Sequence, residues 1–185
     1  MKKLFALFII ACLALGIPTQ LYAATREQSS VLLIFNNQSG KRYNDKLDAI
    51  AEAELNKKIN GIYIQIDPSA YRSAFSGRSF ETEAPSAMQN LVQDSKADYF
   101  VYTELLPYTS KENFDLIYHR KSMTATMVLR IFSLKEAKEL FSAKYALANK
   151  DDTDHWFVGN PSVAKKALQT VLFKVGQAIS VNLPL

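Results

Sequence analysis

Between Leu116 and Phe132 the side chains alternate for most of the segment, with Met123, Ala125, Met127, Leu129 and Ile131 on one face and Ser122, Thr124, Thr126 and Arg130 on the other. A period of two is that of a β-strand, whose successive Cβ atoms point to opposite faces of a sheet. The pattern predicts one long strand with an apolar face and a wet face. Leu140 to Ala148 alternates again, setting Phe141, Ala143, Tyr145 and Leu147 against Ser142 and Lys144, and mostly polar residues 133–139 join the two runs. An antiparallel hairpin follows. Its apolar face needs a second layer to cover it.

Two helical stripes supply that layer. Leu47, Ile50, Ala51, Leu55 and Ile59 recur at three- and four-residue steps, and Asn60-Gly61 stops the helix. Asn160-Pro161 places a capping residue and a first-turn proline before a stripe of Val163, Ala167, Leu168, Val171, Leu172, Val175 and Ile179. Val31 to Phe35 is a continuous apolar run ending in Asn36-Asn37-Gln38-Ser39-Gly40, as expected of a central strand buried on both faces. Ile62 to Ile66 alternates and ends at Asp67-Pro68, and Asp98 to Leu106 is a strong strand centred on Tyr99-Phe100-Val101-Tyr102. Residues 69–83 carry no regular pattern, and Pro85 begins a short helix with Met88, Leu91 and Val92. The expectation is an α/β fold: a two-layer sandwich with a mixed sheet of about five strands, main helices at 44–59 and 161–181, and a shorter helix near 85–95.

The start of the chain has the three parts of a secretion signal: Lys2 and Lys3, an apolar run from Leu4 to Leu15, and Leu21-Tyr22-Ala23 after the breakers Gly16 and Pro18. The run is shorter than the roughly 20 residues of a membrane span. Residues 1–23 are expected to be cleaved, 24–29 to be loose, and 30–185 to form a single domain, exported to the periplasm or beyond. Ile9-Ile10-Ala11-Cys12 matches a lipidation box, but Cys12 lies inside the apolar run and not at its end, which argues against a lipid anchor. Cys12 is the only cysteine, so its removal leaves neither a disulfide nor a thiol nucleophile. Of 22 basic residues Lys2 and Lys3 leave with the signal, so 20 stand against 18 acidic ones. That balance argues against a nucleic-acid binder, which would normally show a concentrated basic face.

No catalytic signature is complete. Gly40-Lys41 follows a strand, yet Phe35 stands where a phosphate loop needs glycine and Arg42 where it needs a hydroxyl. Ser162-Val163-Ala164-Lys165 has the spacing of a serine acyltransferase without that family's companion motifs. Asp151, Asp152, Asp154 and His155 are the densest group of hard ligands, without the glycine and terminal glutamate of a calcium loop. His119 and His155 are the only histidines. No catalytic residue, metal ligand or cofactor is assigned. Tyr63, Tyr99, Phe100, Tyr102, Tyr108, Tyr118, Phe132, Phe141 and Tyr145 fall on or beside strands, where they either pack the sheet or form a half-wet contact surface.

The order of elements resembles small exported domains of the curli secretion channel's periplasmic part, of lipoprotein activators of penicillin-binding proteins, and of the N-terminal domain of TolB. The strings that carry the likeness are Val31 to Gly40, Ala97-Asp98-Tyr99-Phe100-Val101, the hairpin arms Thr124 to Phe132 and Glu139 to Lys144, and the helix from Pro161 to Val181. Ser133-Leu134-Lys135-Glu136-Ala137 departs from the Asp-x-x-x-Gly turn such domains often carry. The resemblance implies a non-catalytic module that binds a protein of the bacterial envelope. The expected contact is the loop Asn36, Asn37, Gln38 and Gly40 with an exposed strand face around Tyr102 and Tyr118. The rival expectations are a metal-dependent hydrolase using residues 151–155 and a small-ligand carrier with an apolar pocket between helix and sheet.

Overall fold

The computed structural model describes residues 28–40, 44–114, 119–153 and 160–185. They form the strands β1 (Ser30–Asn37), β2 (Ile64–Ile66), β3 (Tyr99–Leu105), β4 (Thr109–Phe114), β5 (His119–Ser133) and β6 (Lys138–Thr153). The helices are α1 (Asn44–Asn56), α2 (Ser69–Phe75), α3 (Pro85–Asn90) and α4 (Asn160–Asn182). β2, β1 and β3 run parallel, β3 and β4 are antiparallel to β5, and β5 is antiparallel to β6. Residues 127–133 of β5 pair with β3 and residues 119–124 with β4, while β6 follows β5 along both stretches. A strand has two edges, so β3 and β4 share one edge of β5 and β6 occupies the other. The chain is an α/β fold on an open mixed sheet.

On one face α1 and α4 cover the sheet. Leu47, Ala51 and Leu55 from α1 and Ala167, Leu168, Val171, Leu172, Val175 and Ile179 from α4 pack on Val31, Leu33, Val101, Ala125, Met127, Leu129 and Ile131. The predicted stripes and the predicted dry face of the long strand are the two sides of this core. The turn after α1 approaches α4 closely at Gly176, where a Cβ would stand 2.9 Å from Cε of Lys58. The aliphatic stem of that lysine, not its charge, fills the contact.

Residues 69–83, expected to be irregular, build a cover for the opposite face. Asp67 accepts hydrogen bonds from the Ser69 amide (3.0 Å) and hydroxyl (2.7 Å), which turns the chain out of β2 into α2. Phe75, Phe80, Met88 and Val92 then pack on Leu32, Ile34, Phe100, Tyr102 and Phe132. Phe100 and Phe132 stack across β3 and β5 with ring centroids 5.4 Å apart. Consequently the face that alternation marks as wet is dry at its Val128 to Phe132 end, and Arg130 is only 4% exposed.

Candidate partner-binding site at the end of strand β1

β1 and β3 end side by side, with Asn36 opposite Glu104 and Asn37 opposite Leu105. The carboxyl ends of parallel strands are where open α/β sheets place their binding crevices. Here the turn is fixed by its own polar groups. The Gln38 amide donates to the Leu105 carbonyl (2.8 Å), and the Ser39 amide donates to Oδ1 of Asn37 (2.8 Å), a local turn that asparagine favours. Nδ2 of Asn37 donates to Asp48 of α1 (2.5 Å), and Nε2 of Gln38 donates to Oδ1 of Asn36 (2.9 Å) and to the Arg78 carbonyl (3.0 Å). Gly40, exposed at the tip, has φ +95°, a conformation that side-chain-bearing residues avoid. Of the predicted contact residues, Asn36 turns inward, Asn37 and Gln38 form a half-buried rim, and Gly40 presents main chain to solvent.

Beneath the rim lies a buried polar network that joins four strands to the 78–83 segment. Nδ2 of Asn36 donates to Oη of Tyr102 (2.9 Å) and to the Arg78 carbonyl (3.0 Å). Tyr102 in turn donates to Oε2 of Glu104 (2.9 Å), which also accepts from the Phe80 amide (2.9 Å). Arg130, beside Tyr102 on β5, donates through Nη1 to the carbonyls of Phe80 (3.2 Å) and Glu83 (2.7 Å). Its Nε and Nη2 grip both oxygens of Glu139 at 2.6 and 3.1 Å. The fork geometry of guanidinium suits a bidentate carboxylate while leaving Nη1 for the loop. Burial is the main reason that the Tyr102 hydroxyl is pushed well above its ordinary value of 10.0; the Asn36 hydrogen bond opposes the shift and the Glu104 charge adds to it.

Tyr102 therefore corrects the expectation of an exposed strand face. It is fully buried, because α2 and the 78–83 segment lie over it, with its ring 5.4 Å from Phe75 and 5.8 Å from Phe80. Tyr118 lies outside the described residues. Glu104 and Arg130 join the network although no motif in the sequence marks either as a site residue. Glu104 shares the period-two face of Phe100 and Tyr102 in a strand flanked by apolar runs, and that inward-facing carboxylate was the available signal.

Asp151 and Asp152 belong to β6, opposite Lys121 and Arg120, because the pairing of β6 with β5 runs past Ala148 to Thr153. Asp154 and His155 lie outside the described residues, and among the described ones no three His, Cys, Asp or Glu side chains gather as metal ligands. Between helix and sheet a cavity of about 120 Å³ is lined by Leu33, Phe35, Glu52, Asn56, Gln65 and Arg72 among others. That is well below the ~300 Å³ at which small-molecule pockets begin, and its lining is partly polar.

No family model matches the chain, and no curated protein does. Solved structures do. Hypothetical protein CT253 from Chlamydia trachomatis is 11% identical with a TM-score of 0.51, the match covering 84% of this chain and 97% of that one. A putative neuraminyllactose-binding hemagglutinin homolog from Helicobacter pylori is 11% identical with a TM-score of 0.53, covering 84% of each chain. Lipoprotein GNA1162 from Neisseria meningitidis is 14% identical with a TM-score of 0.42, covering 79% of this chain and 99% of that one. The likeness is one of fold. Among the described residues no helix is long and apolar enough to cross a membrane.

Proposed function

We propose that the chain is an exported, non-catalytic accessory protein of the bacterial envelope that binds a protein partner through the loop Asn36 to Gly40. One observation supports this most: the loop is held by hydrogen bonds to α1, β3 and the 78–83 segment, yet ends in exposed main chain at Gly40. A loop fixed before it meets its partner loses little conformational freedom on binding. The buried Tyr102, Glu104 and Arg130 act as its foundation and not as contacts. Tyr118 keeps its place in the contact from the sequence alone. The kinship with curli, TolB and penicillin-binding-protein activator domains belongs to the same reading, as does export by a signal cleaved after Ala23.

Crosslinking pull-down with protein beginning at Ala24 tests the proposal. Wild-type bait is expected to enrich one envelope protein, and the double replacement Asn37→Ala with Gln38→Ala to lose most of that capture. Equal capture by the two baits, with both folded, refutes the assignment of the loop.

A further inference from the structure

The hydrogen bonds of β1 show which neighbour each residue serves. The carbonyl of Ser29 accepts from the Ile64 amide on the β2 side. On the β3 side the Ser30 carbonyl accepts from Asp98, the Ile34 carbonyl accepts from Oγ1 of Thr103, and the Gln38 amide donates to Leu105. Even-numbered residues thus turn their main-chain groups to β3 and odd-numbered ones to β2. β2, however, pairs only with Ser30, Val31 and Leu32. Pro68 has no amide hydrogen to continue the ladder, and the chain leaves there into α2. Phe35 is left with its N–H and C=O facing a lane that no strand of the described residues fills.

The 120 Å³ cavity starts over the paired stretch, at Val31, Gln65 and Ile66, and continues into that lane at Leu33 and Phe35. Leu33 and Phe35 form its floor, Glu52 and Asn56 of α1 one wall, and Pro68 and Arg72 the other. Arg72 reaches Glu52 at 2.9 Å, so an ion pair between α1 and α2 crosses the lane. The two side chains are 51% and 29% exposed, and ion pairs so open to solvent hold little energy. The lane can be opened at small cost, and opening it releases the Arg72 guanidinium from Glu52, leaving it only the weaker attraction of Asp67.

We infer that this lane receives an extended, acidic peptide segment of the protein partner, which adds a short strand to β1 by bonding the main chain of Phe35 while its carboxylate takes Arg72 from Glu52. Strand addition at a free sheet edge draws affinity from main-chain hydrogen bonds and specificity from a side pocket. The lane runs directly into the loop Asn36 to Gly40, so the inference rests on the proposed function and specifies how the partner is held there.

The test uses random dodecapeptides displayed on phage, selected on the mature protein. Enriched peptides are expected to carry a carboxylate and to slow exchange of the Phe35 amide. They should bind Glu52→Ala protein roughly threefold tighter, the strap being gone, and Arg72→Ala protein on the order of tenfold weaker. Asn56→Trp fills the lane and should abolish selection. The inference is overturned if no peptide is enriched over the Asn56→Trp protein, or if bound peptides leave Phe35 exchange unchanged. It is equally overturned if Glu52→Ala and Arg72→Ala, at side chains 29% and 51% exposed and outside the apolar core, have the same effect. Capture of an envelope protein that survives Asn56→Trp but is lost with Asn37→Ala and Gln38→Ala would remove the lane while keeping the loop.

Discussion

Replacing Arg130 by alanine should strip the support from the loop's foundation. The guanidinium makes two bonds to Glu139 and two to main-chain carbonyls of the 78–83 segment, from a side chain only 5% exposed. Breaking a buried pair by removing one partner costs about 3–5 kcal/mol. Glu139 is 21% exposed and recovers some hydration, which brings its share below that range, to about 2–3 kcal/mol. The orphaned carbonyls add about 1 kcal/mol, since the Phe80 carbonyl is shut in while that of Glu83 lies nearer water. The sum, about 3–4 kcal/mol, is a large part of the ~5–15 kcal/mol that holds a domain together. In urea, with m of about 2 kcal/mol per molar, the unfolding midpoint should fall by roughly 1.5–2 M. Arg130→Lys should recover less than half of the loss, because one ammonium cannot serve Glu139 and both carbonyls at once. A midpoint shift below about 0.3 M for Arg130→Ala, with m unchanged, would refute the claim that this network fastens the 78–83 segment to the sheet.

Tyr102 keeps its proton in the folded protein above the pH at which the unfolded chain loses it, near 10.0. Stability is therefore whole below that pH and falls as pH rises above it, and Tyr102→Phe, measured by denaturant titration between neutral pH and pH ~11, should flatten the fall. Ala137 sits in the β5–β6 turn with φ 50°, where a Cβ is strained, so Ala137→Gly should raise stability by about 0.5–1 kcal/mol in the same assay. Loss of stability on that change would show that the turn holds its alanine without strain. Intact mass of protein recovered from the envelope should begin at Ala24; a diacylglyceryl group on Cys12 would overturn the reading of the apolar run.

The elements that periodicity governs were legible. The stripes of α1 and α4 and the alternation of β5 describe surfaces that must be dry, and the fold makes them one core. The 69–83 segment was not legible, because α2 buries only Phe75 and leaves no stripe; its place is set by aromatic contacts with residues far along the chain. That one omission misplaced Tyr102 and Arg130, since a face is wet only if nothing lies over it. The Asn-rich turn was legible as a loop, while its anchoring by Asp48 and Leu105 depends on neighbours that only folding brings near. β4 leaves no alternating signal, since Thr109 to Asn113 is a polar run after Pro107, although the chain resumes there along the same edge of β5.

A photo-reactive residue placed at Gln38 in living cells tests the central claim most directly, with the same residue at Lys144 on β6 as comparison. The account predicts a discrete crosslinked product to one envelope protein from position 38 and none from position 144. Products of equal yield from both positions, or from position 144 alone, would contradict it.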